Sequence, residues 1–180
     1  MTDLLHHPGF LGTTANFATD FTLTLSLLVA LLFTIGAYLA KRAQSVERRY
    51  GNGDPERARA GRLFTQHRWV QTTAALLNVV LVLWMMLLPY RDFILPGVPG
   101  RLGQAFYGVT TLHAFIGFFA FVVGGFVVLR GNKLVPTRLA FRNYKPWMRS
   151  AYVLYMATTL LGVWVYVTWF ITNPNPPVFK

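Results

Sequence analysis

Four stretches of this chain contain no aspartate, glutamate, lysine or arginine: residues 21–40, 69–90, 102–129 and 150–179. Each is dominated by Leu, Val, Phe, Ala and other apolar side chains. A helix needs roughly 20 residues, rising 1.5 Å each, to cross a hydrocarbon core about 30 Å thick. Every run is long enough. Pro174, Pro176 and Pro177 cannot continue a helix, so the last span stops before them. The expectation is an all-α polytopic membrane protein, a four-transmembrane-helix bundle. Its spans fall at about 21–41, 67–90, 104–129 and 147–172, in one membrane domain over 1–180. A β-barrel is disfavoured, because barrel strands are segments of about ten residues with alternating polarity, whereas these runs are continuous.

Charge is scarce at 13% of residues, against about a quarter in soluble domains, and it is clustered. Of the 17 lysines and arginines, eight lie between the first two spans: Lys41, Arg42, Arg48, Arg49, Arg57, Arg59, Arg62 and Arg68. Six lie between the last two: Arg130, Lys133, Arg138, Arg142, Lys145 and Arg149. The other side holds only Arg91, Arg101 and Lys180. Basic loops stay on the cytoplasmic face. Segments of about 42–66 and 130–146 are therefore expected inside, and both termini on the outer, periplasmic side of a bacterial inner membrane. The net charge of +11 reads as a topology signal that meets anionic lipid headgroups, and not as a nucleic-acid surface. No basic segment precedes the first run, only Asp3 and Asp20, so the first span reads as a retained anchor and not a signal peptide.

The connections carry punctuation. Helix one is expected to run to about Tyr50, where the "GNG" of residues 51–53 closes it. Asp54, Pro55 and Glu56 form a helix start. "YRDFILPGVPG" reads as a compact outer turn with two Pro-Gly pairs, and Pro146 suits the start of helix four. Along helix four, Tyr152, Tyr155, Thr159, Gly162 and Tyr166 recur at three- and four-residue spacing. That is one face, either a helix–helix seam or a surface toward a quinone or haem.

Without cysteine, thiolate metal sites, Fe–S clusters and covalent c-type haem are excluded. Histidines remain: His6, His7, His67 and His113. The first two read as solvated tail residues. His113 lies within span three, about 18 Å inward from Arg101. His67 belongs to the inner face, roughly 25 Å away in depth, so the two cannot ligate one haem iron. Three readings of His113 stand: a haem ligand without His67, a metal site shared with the outer His6 and His7, or a buried imidazole bonded to a neighbouring helix. Asn78, at mid-depth, is a candidate partner. His67 and Arg68 read as interfacial anchors. No nucleophile–base pair, phosphate loop or carboxylate pair is found, and the chain is expected not to be an enzyme.

The run from "HRWVQTTAALLNVVLVLW" through "LHAFIGFFAFVVGGFVVLRG" to "WMRSAYVLYMATTLLGVWVY" resembles the YozB/CtaM-like four-helix bacterial membrane proteins, domain of unknown function 420, over about residues 60–172. The resemblance implies a role around the haem–copper terminal oxidase, chiefly in its biogenesis, with His67 and His113 matching the family's histidines in spans two and three. Where the family has a histidine opening span four, this chain reads "FRNYKPWMR"; the outer ends "LLPYRDF" and "WFITNPN" also lack one. These departures favour an alternative, a permanent accessory subunit of a respiratory or photosynthetic complex. A haem- or quinone-binding protein using His113, His67 or Asn78 is the third reading.

Overall fold

A computed structural model of the chain describes residues 7–50, 54–136, 138 and 143–173. His6, Arg142, the "GNG" at 51–53, the prolines from Pro174 onward and Lys180 lie outside the described residues. Among those described, the chain is helical. Four helices are long and apolar enough to cross a membrane: α1 (Phe17–Arg49), α2 (Arg57–Gly97), α3 (Ala105–Gly131) and α4 (Tyr144–Phe170).

Each start and stop has a local cause. The Asn16 carboxamide oxygen caps α1 by accepting from the Thr19 N–H at 2.9 Å and the Thr19 hydroxyl at 2.8 Å. Asp54 accepts from the Glu56 N–H at 2.8 Å, just ahead of α2. At the end of α3, Lys133 sits at φ 61°, and the Leu134 N–H reaches back to the Leu129 carbonyl at 2.9 Å.

The compact turn expected from "YRDFILPGVPG" is shorter than its sequence suggests, because α2 stays helical to Gly97. Pro89 has no N–H to give, and the helix passes it by widening. Leu87 N bonds the Val82 carbonyl and Leu95 N bonds the Tyr90 carbonyl, both five residues back. Wide turns absorb the missing donor without ending the helix.

The bundle is built from two hairpins. α1 packs chiefly on α2, and α3 on α4, with slighter contact across. One core cluster, at the end where α1 begins and α4 finishes, gathers Ala15, Ile94, Tyr166, Trp169 and Phe170. A second, between the hairpins, holds Val29, Ala30, Ala74, Leu81 and Tyr155. The outside is apolar too. Leu76, Phe118 and Leu160 are 63%, 63% and 72% exposed, a surface that water would disfavour and hydrocarbon would not. Arg48, Arg49, Arg59, Arg138 and Lys145 stand exposed at the opposite, basic end. There Arg57 pairs with Glu47 and Arg59 with Glu56, each at 3.8 Å.

Candidate functional site

The hairpins leave a cavity of about 530 Å³ between them in the basic half of the bundle, with all four helices contributing to its wall. Its polar rim includes His67, Gln71, Asn78, Arg130, Asn132 and Tyr155. Helical geometry explains the gathering. His67, Gln71 and Asn78 are spaced by four and seven residues, which places them along one stripe of α2.

That stripe grips α1. His67 Nδ1 lies 2.7 Å from the Gly36 carbonyl oxygen, and Gln71 Nε2 donates to the Phe33 carbonyl at 3.1 Å. A carbonyl only accepts, so His67 carries a proton on Nδ1. Gly36 permits the approach, since a Cβ there would strike the Gln71 carboxamide. His67 is thus not the wet interfacial residue expected from its place beside Arg68. It is half-buried and turned to α1, while Arg68, the next residue round the helix, stays exposed. Removing both side chains in His67→Ala with Gln71→Ala should lower stability by about 1–2 kcal/mol, at the usual worth of interhelical bonds. Thermal unfolding in mild detergent measures it.

Farther along the wall, the Tyr155 hydroxyl donates to Asn78 Oδ1 at 3.3 Å. Asn78 therefore does not serve His113, the partner expected for it. His113 lies in the α3–α4 seam, where Nδ1 donates to the Thr158 carbonyl at 3.0 Å and Cε1 faces Gly162. Thr158 is one turn beyond Tyr155, and Asn78 is 11 residues beyond His67. The two histidines thus stand about 20 Å apart in depth, too far to share one iron. Among the described residues, no group of three His, Asp or Glu side chains is placed to hold a metal ion.

The α4 stripe touches every other helix. Tyr152 meets Thr34 of α1 at 3.1 Å, Tyr155 meets α2, and Gly162 meets α3. The Thr159 hydroxyl turns back to the Tyr155 carbonyl. Tyr166 donates to Asp20 of α1 at 2.6 Å. Asp20 is the residue sequence reasoning missed. Its carboxyl group is wholly buried and also accepts from the Leu11 N–H at 2.7 Å. With Tyr166 donating to Asp20, the Thr13 hydroxyl donates to Tyr166 at 2.6 Å. Thr14 completes the clasp on the Phe170 carbonyl at 2.8 Å.

Asn132 and Arg130 also escaped the sequence reading, because both stand at a helix end that looks like loop. Asn132 Nδ2 reaches Thr72 Oγ1 and the Val128 carbonyl, each at 2.9 Å. It ties the foot of α3 to α2 at the cavity mouth. The wall offers donors and apolar surface, and among the described residues no carboxylate lines it beside the histidine.

No protein-family model, curated protein or solved structure matches this chain.

Proposed function

We propose that this chain is a multi-pass protein of a bacterial inner membrane, with its arginine-rich connections in the cytoplasm and both termini in the periplasm. The distribution of basic residues supports that orientation. Within the membrane, its role is the biogenesis of a haem–copper oxidase, assisted without turnover of a substrate. The resemblance over residues 60–172 supplies the respiratory direction. The observation that carries the reading is the cavity between the hairpins, a largely apolar chamber with a polar rim, suited to an amphipathic group and, among the described residues, without an acid–base pair.

Deleting the gene and recording reduced-minus-oxidised membrane spectra tests this. Oxidase haem absorbance should fall well below the parental level and return with a plasmid copy. Normal oxidase haem in the deletion strain rules the role out.

A second reading, permanent accessory subunit of a respiratory or photosynthetic complex, is favoured by one surface. Phe115 and Phe118, 62% and 63% exposed, stand beside the exposed Phe119 on α3, a face suited to a partner helix. Purification in mild detergent separates the two. A biogenesis factor runs apart from the mature oxidase, whereas a subunit co-migrates in fixed ratio with its complex. A Soret band in the purified protein would move the assignment to haem binding through His113.

A further inference from the structure

The cavity holds a positive charge that the fold leaves unanswered. Arg130 closes α3, and its Nε is buried without a hydrogen-bond partner. The ion pairs among the described residues join Arg57 to Glu47, Arg59 to Glu56 and Arg91 to Asp92, so Arg130 has none. Arg68 reaches the same cavity from α2, and among the described residues neither aspartate nor glutamate lines it. A buried guanidinium donor without an acceptor is costly, more so in a medium of low dielectric. An anion between Arg130 and Arg68 removes that cost, and a guanidinium edge suits two oxygens of one phosphate.

The remaining wall says what the anion is attached to. Phe33, Val79, Ala120 and Phe121 are apolar and lie deeper than the arginines. A free inorganic ion would satisfy Arg130 and leave that depth empty. Gly124 and Gly125 of α3 also line the cavity, and a Cβ built on either meets nothing within 4 Å. Two adjacent missing side chains leave open space along the wall.

We infer that this cavity binds one phosphate-headed lipid, its head between Arg130 and Arg68 and an acyl chain along Gly124 and Gly125. Basic pockets between spanning helices at the headgroup level are suited to such heads. The inference does not rest on the oxidase reading, and either can fail alone.

The full chain is purified in a neutral detergent and offered phosphatidic acid against phosphatidylcholine of the same acyl chains, with retention read by native mass spectrometry. One phosphatidic acid per chain should be retained, about ten-fold in preference to phosphatidylcholine. Arg130→Gln should weaken retention about ten-fold. Gly125→Leu should also weaken it while leaving the unfolding temperature in place, because its Cβ enters open space. Arg59→Gln, altering an exposed residue outside the cavity, should change nothing. Equal retention of phosphatidylcholine overturns the site, as does full retention by both cavity variants. Competition by inorganic phosphate at the same concentration as the lipid overturns the amphiphile, and stronger retention of dodecanoate overturns the phosphate head.

Discussion

Replacing Asp20 with alanine should destabilise the protein by about 3–5 kcal/mol and free the segment before α1, whereas asparagine at the same place should cost about 1 kcal/mol. The difference follows from which atoms donate. Asp20 is fully buried and accepts from the Tyr166 hydroxyl on one oxygen and the Leu11 N–H on the other. Alanine strips the Leu11 N–H of its acceptor and takes from Tyr166 its bond across to α1, leaving its hydroxyl only Thr13 as a partner. Asparagine can keep Oδ1 on Leu11 and turn Nδ2 to the Tyr166 oxygen, with Tyr166 then donating to Thr13, already 2.6 Å away. The clasp survives with its hydrogen bonds reversed. Thermal unfolding in mild detergent gives the energies, and limited proteolysis reports residues 7–16, which should become cleavable in the alanine variant only. Equal loss in the two variants would show that the acid's bonds do not hold the segment.

How much of this was legible beforehand depends on the kind of information needed. The four helices follow from one-dimensional quantities, length and absence of charge, because a spanning backbone must satisfy its own hydrogen bonds. The tyrosine face of α4 was readable from spacing alone. Where a polar side chain points is a two-dimensional matter. Asp20 stands one position ahead of the first charge-free run and so looks like a boundary marker. Only the fold-back of residues 7–16, with Gly9 N bonded to the Ala15 carbonyl at 3.0 Å, turns it into a core residue. His67 and Arg68 are neighbours in sequence, but a step of about 100° around α2 sends one to α1 and leaves the other exposed on the cavity wall. Depth could not separate the partners of Asn78 and His113, since both lie mid-span. The pairing of helices into hairpins decides it, giving His113 to α4 and Asn78 to Tyr155. Arg130 looked like one more topology charge. Its buried Nε becomes visible only when the chain end of α3 is set beside α2 and α4.

The α3–α4 seam gives the other large effect. Gly162→Leu should cost about 3 kcal/mol, combining overpacking with the loss of one interhelical bond. A Cβ at Gly162 would stand 3.1 Å from His113 Cε1 and 3.6 Å from its Nδ1. Alanine therefore needs only a shift of a few tenths of an ångström. The rest of a leucine side chain needs the volume the imidazole fills. His113 must then swing away, breaking its bond to the Thr158 carbonyl and leaving Nδ1–H among apolar groups. His113→Ala alone should cost about 2 kcal/mol, since it opens a cavity and removes the same bond. Joined in one chain, the two changes should cost less than their sum by about 1–2 kcal/mol, because leucine occupies the space that the ring vacates. Unfolding of the four proteins in the same detergent closes the double-mutant cycle. Strict additivity would mean that Gly162 and His113 act on different neighbours. A sub-additive pair ties His113 to the close approach of α3 and α4, a structural duty that any haem carried on its Nε2 would have to leave intact.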